Sequence, residues 1–390
     1  MNPKLLELHF SELVKVWHKS RNNNFSDIAK QDYNERLQRI FDFLKDEEFS
    51  KLNNHELLLR SIIIDFFFKS LEFLDNSTLS LIPYELIECL KYALDEWIDD
   101  SEDFIIVTSL INQIDQFSFD QSLISNLNFY TALDLTYKIP FPKKLIQINL
   151  PKYLARDYLA NVILYHELGH FVDIKYRVSD AIKDEIKKKL IPVTSLSTSE
   201  EISFGKYFPY LLNPKLDIDY RLDIFKNHVA EYFSDIFASQ YIEKASNYYL
   251  DYITNSSSTF EESHPSTVCR ISLVEAFIHN VDEPFVNILK VATKSISNRE
   301  LKARYNRISQ DDFLNLLPFE IKSASQLSSL FILGWDLWLN DIQEFKTRNN
   351  MQFDLKASDA YQIINNLIEK SISNYVVETS WETAKKNVSV

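Results

Sequence analysis

Glycine occurs only three times in this chain of 390 residues, as Gly169, Gly205 and Gly334. Folds rich in β-structure use glycine at turns that need a positive φ, so a chain this poor in it is pushed toward helices. The same scarcity removes glycine-rich phosphate cradles and dinucleotide fingerprints from consideration. Hydrophobic spacing points the same way. Leu5, Leu6, Phe10, Leu13, Val14 and Trp17 form one helical stripe, and Ile28, Tyr33, Leu37, Ile40, Phe41 and Leu44 a second, with Ser26 as its N-cap. Residues 57–74 and 84–97 complete a helical set, the last entered after Pro83.

Near residue 100 the pattern changes. An acidic turn at 99–103 leads into 104–108, which reads as a strand, and 145–150 reads as another, bounded by Pro140, Pro142 and Pro151. Both read as core sheet, the alternative being that one of them is an edge that pairs with an extended peptide substrate. A helix over 153–175 follows, with Leu154, Tyr158, Ile163 and Phe171 toward the core, then a helix at 179–190 whose Lys187, Lys188 and Lys189 form a solvated face. Residues 191–217, with Phe204, Tyr207, Phe208 and Tyr210, read as a long loop flanking or covering a cleft. Helices are expected at 217–253 and 266–280, separated by a turn at 255–259, and through most of 284–390, where Trp335 and Trp338 read as core. The fold class is therefore mainly α with a small β-sheet, an α+β chain.

The helix at 153–175 carries His166-Glu167-Leu168-Gly169-His170. Residues four apart share a helical face, so His166 and His170 can direct imidazole nitrogens at one metal ion. Glu167 lies about 100° round the helix, placed to accept a proton from water that the metal activates. A zinc ion held by two histidines needs a third protein ligand with the fourth position open. Glu231, 61 residues past His170, can supply it, and Asp235 shares its helical face. A ligating imidazole also needs its second nitrogen fixed by a carboxylate, a task suited to Asp235 toward either His166 or His170. His228 competes with Glu231 for the ligand role but fits a supporting one better. His9, His18 and His55 have no metal-like companions in the sequence.

Three segments occur in order: the H-E-L-G-H motif, then Glu231-Tyr232-Phe233-Ser234-Asp235-Ile236-Phe237-Ala238, then His264-Pro265 with Arg270-Ile271. Together they resemble the gluzincin metallopeptidases, most closely the CAAX-prenyl endopeptidase and HtpX-like branch, with HExxH, E-Y-x-A-D-x-x-A and H-P-x-x-x-x-R-I. The resemblance covers about a tenth of the chain. It implies Zn²⁺ bound by His166, His170 and Glu231, with Glu167 as general base. It also implies that His264 and Arg270 assist at the substrate carbonyl or order the site; Tyr165 is a further candidate for stabilising an oxyanion. Ser234 stands where the family usually has alanine. The implied organisation is a helical N-terminal region at 1–100, a zincin-like metallopeptidase core at 101–283 and a helical C-terminal region at 284–390.

The expected activity is zinc-dependent hydrolysis of peptide bonds in a protein or peptide substrate. Two other outcomes are a protease dedicated to a single target, of toxin or defence type, and a non-catalytic regulatory or binding protein that retains zinc. With 42 Lys and Arg against 56 Asp and Glu, the net charge of −14 gives no electrostatic reason to bind nucleic acid. Two cysteines cannot build a disulfide framework or a cysteine-rich zinc site. The apolar runs at 61–68 and 330–339 are short and contain Asp65 and Asp336, and the charged N-terminal stretch reads as an amphipathic helix and not as a secretory signal. Membrane insertion is not expected, so the membrane setting and prenylated substrates of the family branch do not transfer. A cytoplasmic location is expected.

Overall fold

Helices and one small sheet make up the structure, a computed structural model that describes residues 2–25, 28–75, 77, 84–111, 117–120, 127–190, 196–254, 259, 261–349 and 356–388. Ser26, Pro83, residues 191–195 and the turn at 255–258 lie outside the described residues. The chain divides into two compact units, one of Met1–Ile87 with Asp99–Ala155 and one of Glu88–Ile98 with Arg156–Val390.

The first unit begins with α1 (Pro3–Ser20), α2 (Ile28–Lys45) and α3 (Asn54–Asp75), followed by α4 (Tyr84–Trp97), which continues into the second unit. Asn2 caps α1 by accepting the Lys4 amide, and Pro3 occupies the first turn, where no amide proton is needed. Leu6, Leu13 and Trp17 are buried along one stripe, and the Trp17 ring meets Phe41 at 5.8 Å and Phe67 at 5.3 Å. The second stripe is buried from Tyr33 to Leu44, but Ile28 at its start is 87% exposed.

Both expected strands form, as β1 (Phe104–Ile111) and β3 (Lys144–Pro151), joined in parallel with Phe104 opposite Lys144. A parallel pair needs a crossover. Here the connection contains β2 (Ser118–Asp120), antiparallel to β3, and α5 (Leu127–Tyr137). Strand order is β1-β3-β2, so β3 is central and not an edge. Ile105, Val107 and Leu145 belong to the same hydrophobic core as Leu37, Phe67 and Trp17. The sheet therefore belongs with the N-terminal helices. It is not part of a 101–283 core, contrary to the sequence expectation.

The second unit contains α6 (Leu164–Tyr176), α7 (Val178–Leu190), α8 (Thr198–Tyr207), α9 (Ile218–Ile242), α10 (Ala245–Thr254), α11 (Thr267–Ile278), α12 (Pro284–Ser297), α13 (Asp311–Leu314), α14 (Ser329–Asn340), α15 (Ile342–Arg348) and α16 (Ala357–Val388). Three boundaries depart from expectation. The motif helix starts at Leu164, eleven residues later than 153, and is preceded by 3₁₀ turns at Lys152–Leu154 and Ala160–Ile163. The Asp157 carboxylate accepts the Ala160 amide at 2.9 Å and Asn365 accepts the Leu159 amide at 3.1 Å, so side chains satisfy the backbone where a longer helix would have started. The segment expected as a loop contains α8, begun by a capping box in which Ser197 and Glu200 bond each other's backbone. Its aromatic residues Phe204, Tyr207 and Phe208 are buried against Phe225, Tyr232 and Phe285; they are core and do not form a lid. The helix expected at 217–253 breaks at Glu243, where φ reaches 51° and the side chain pairs with Arg307 at 2.6 Å.

C-terminal helices pack into this same unit and do not form a separate region. Trp335 donates its indole N–H to the Leu159 carbonyl at 3.0 Å, and a Cβ at Gly334 would lie 2.8 Å from both Leu159 and Ile368. Lys183 and Lys187 of α7 pair with Asp223 and Asp219 of α9, and Lys189 with Glu200, so part of the lysine-rich face is zipped to acidic neighbours. No helix among the described residues is long and apolar enough to cross a membrane.

Trp335→Ala removes a buried ring and its hydrogen bond beneath the entry to the motif helix. It is expected to cost about 3–5 kcal/mol, read as a lower urea midpoint by tryptophan fluorescence and circular dichroism.

Candidate metal centre

Gly169, in the middle of the H-E-L-G-H motif, is where α6 and α9 touch. A Cβ at Gly169 would stand 2.7 Å from the Ser234 Cα and 3.2 Å from the Phe237 Cβ, closer than carbon atoms approach without displacing backbone. Only glycine permits this spacing, and the spacing brings Glu231 of α9 over the histidines of α6. Ser234, small in its own right, completes the close approach from the other side.

Three donor groups converge there. The His166 and His170 Nε2 atoms lie 3.0 Å apart, with the Glu231 Oε2 3.4 Å from the first and the Glu231 Oε1 3.4 Å from the second. His166, His170 and Glu231 together can hold a metal ion, and they are the one such group among the described residues. Their separations match the edge of a tetrahedron around zinc, about 3.3 Å for bonds of about 2.0–2.1 Å. His166 and Glu231 are buried, while the His170 side chain keeps 20% of its surface in solvent.

Asp235 resolves the choice between the histidines. Its Oδ1 lies 2.9 Å from the His166 Nδ1, so Nδ1–H donates to the carboxylate and Nε2 faces the centre. Arg270, entering from α11, grips Asp235 with Nε at 2.7 Å and Nη2 at 2.8 Å, and its Nη2 also lies 3.4 Å from Glu231. Its guanidinium is buried and committed to these two carboxylates. That geometry fits ordering of the site and not contact with a substrate carbonyl. The Ser266 hydroxyl caps α11 by accepting the Cys269 amide, which fixes the turn of helix carrying Arg270.

The electrostatics follow from this packing. Burial opposes the charge on Glu231, but His170, Arg270 and His166 outweigh it and hold the carboxyl well below its ordinary range. Burial likewise opposes ionisation of Asp235, and Arg270 with His166 reverses the balance. Burial works against a charged His166, yet Asp235 and Glu231 lift its pKa to about 10. A metal entering the centre must displace that proton, since the ligating form is neutral imidazole. Glu167 behaves differently. Burial pushes its carboxyl upward and the neighbouring His170 and His166 only partly oppose this, which suits a proton acceptor.

His264 reaches the centre from the loop before α11, with its Nε2 3.6 Å from the Glu231 Oε1 and its side chain 56% exposed. It stands outside the three-donor group and faces solvent. Its position depends on His228, a residue the motif pattern left in a supporting role. Fully buried, His228 donates Nε2–H to the Glu261 carbonyl at 2.7 Å and accepts the Tyr210 hydroxyl at Nδ1, 3.0 Å away. Both nitrogens are thereby used, and burial holds the imidazole below its ordinary pKa. His228 is a latch for the turn that carries His264, not a competing ligand. Tyr165 is buried, stacked on Tyr241 at 5.7 Å and edge-on to Phe331, so an oxyanion role does not fit it. In the sequence, the signal for Gly169 was its rarity; no spacing rule signalled the partners of His228.

Comparison with protein-family models, with curated proteins and with solved structures finds no match to this chain.

Gly169→Ala is expected to cost about 1–3 kcal/mol through overpacking against the Ser234 backbone, and to weaken zinc uptake measured by equilibrium dialysis. Gly205→Ala, with nothing within 4 Å of the added carbon, provides the contrast: unchanged zinc uptake and stability equal or higher by about 0.4–1 kcal/mol.

Proposed function

We propose that this chain is a zinc-dependent metallopeptidase that hydrolyses peptide bonds, with His166, His170 and Glu231 as metal ligands and Glu167 as general base. The observation that carries the reading is the donor triangle, spaced for a tetrahedral ion and supplied, among the described residues, by three protein groups. A purely structural zinc site is closed by a fourth protein ligand, whereas a catalytic one keeps that position for water or substrate. Bound there, zinc supplies Lewis acidity, lowering the pKa of a water towards about 7 and polarising a carbonyl.

The chain's own residues do the rest. Glu167, raised by burial, accepts a proton from the attacking water and returns it to the departing amine. Asp235 holds the His166 ring in the tautomer that ligates, and Arg270 holds Asp235 and Glu231 in register. His264, on the solvent side of Glu231, is the group available to hydrogen-bond a developing oxyanion. The substrate is a protein or peptide. A cytoplasmic setting belongs to this reading, in keeping with Cys89 and Cys269 not being joined in a disulfide.

Two experiments test it. His166→Ala and Glu231→Ala should lose stoichiometric zinc, measured by elemental analysis of the purified protein, while Glu167→Gln should retain it. In cells, labelling of newly formed protein termini should reveal cleavages with the wild type that fall by about 10²–10⁴-fold with Glu167→Gln. One or a few sites would identify a dedicated target, and many would identify general turnover. A zinc-loaded wild type that generates no more termini than Glu167→Gln would overturn the peptidase reading in favour of a non-catalytic zinc protein.

A further inference from the structure

We infer that the second unit carries another ligand site, independent of the metal centre: a cationic cleft between α11, α12 and residues 300–305 that binds a small phosphate ester bearing a flat ring, of nucleotide size. The cleft has a volume of about 450 Å³ and is lined by Ile278, Lys290, Lys294, Lys302 and Tyr305 among others. That volume lies within the range of roughly 300–1,000 Å³ usual for small-molecule sites.

Charge sets the class of ligand. Three ammonium groups line the cleft against one carboxylate, Glu300, which leaves two positive charges in excess in a chain whose net charge is −14. Glu300 is shared, 2.5 Å from the Lys294 Nζ and 3.9 Å from the Lys302 Nζ. Lys290 makes no ion pair among the described residues; its ammonium lies 5.1 Å from the centre of the Phe277 ring. An excess of two matches the charge of a phosphate monoester, about −1.5 to −2 at neutral pH. Flexible lysines bind phosphate as point charges and do not impose the planar fork that favours a carboxylate.

The lining sets the rest of the molecule. Phe277 and Leu301 are each 4% exposed and form an apolar floor, Tyr305 offers a ring at the side, and the Asn280 amide adds a donor and an acceptor. Val291 at the rim is 70% exposed, so this is an open cleft and not the enclosed slot an acyl chain needs. A flat ring over an apolar floor with its phosphate among the lysines uses both the apolar and the cationic parts of the lining. One wall is already fixed: the Lys302 amide bonds the Gln240 Oε1 at 3.2 Å and the Arg304 amide bonds the Gln240 carbonyl at 2.7 Å. Such pre-organisation lowers the ordering cost of binding.

Isothermal titration of the full-length chain at low ionic strength tests this, with adenosine monophosphate, adenosine and inorganic phosphate as separate probes. Adenosine monophosphate should bind saturably at one site, and both adenosine and phosphate at least tenfold more weakly. Lys290→Gln with Lys302→Gln, the first half-buried and the second exposed, should weaken adenosine monophosphate by on the order of tenfold while leaving zinc content unchanged. Glu231→Ala should bind it as the wild type does, which separates the cleft from the metal centre. The inference is overturned if no probe binds saturably, if the double lysine variant binds undiminished, if phosphate alone binds as tightly (an adventitious ion only), or if Glu231→Ala abolishes binding.

Discussion

The missing side chain at position 169 is the constraint on which the second unit's chemistry depends. Helices packed through ordinary side chains keep their axes about 8–10 Å apart. At Gly169 the α6 backbone comes so near Ser234 that even a methyl group would meet the α9 main chain. Glu231 and Asp235 lie one turn apart on α9, so one close approach delivers both: the first to His166 and His170 through Nε2, the second to His166 through Nδ1. A wider spacing would draw Glu231 away from the two histidine nitrogens that now stand 3.4 Å from it.

Bringing two histidines and three carboxylates into a buried place carries a large desolvation cost, which pairing must offset. Arg270 is the main counter-charge, held by Asp235 in a two-point grip and placed near Glu231. Removing one member of such a buried pair generally costs about 3–5 kcal/mol, because the other charge is left unpaired. Glu167 stands apart from this pairing. Its carboxyl is shifted upward where Glu231 and Asp235 are shifted downward, so neighbouring acids of like chemistry are set to different tasks by their surroundings.

Much of the local structure was legible in the residues. Helices α1 to α4 and strands β1 and β3 occur where periodicity put them, and the motif-bearing helix forms with a later start, whereas α5 was not read from the sequence. α8 was legible in principle, because Ser197 and Glu200 have capping-box spacing, but the polar run around them and the aromatic cluster after them read as loop. β2, with three residues, is too short for alternation to register. The late start of α6 and the break at Glu243 were not legible. Each depends on partners far along the chain, Asn365 and Tyr361 for the first and Arg307 for the second.

By itself the sequence determined the helix-dominated class and, through helical spacing, the candidate groups His166, Glu167, His170, Glu231 and Asp235; His264 and Arg270 were implied only by the resemblance to the gluzincins. Helical periodicity states which residues share a face, and that is local information. Tertiary structure alone decided which histidine Asp235 supports, that Arg270 orders carboxylates, that His228 latches the His264 turn, and that the sheet joins the N-terminal unit. Those outcomes depend on distances between segments tens to hundreds of residues apart. Such distances are set by how closely packed surfaces meet, down to a single absent Cβ, and no spacing along the chain encodes them.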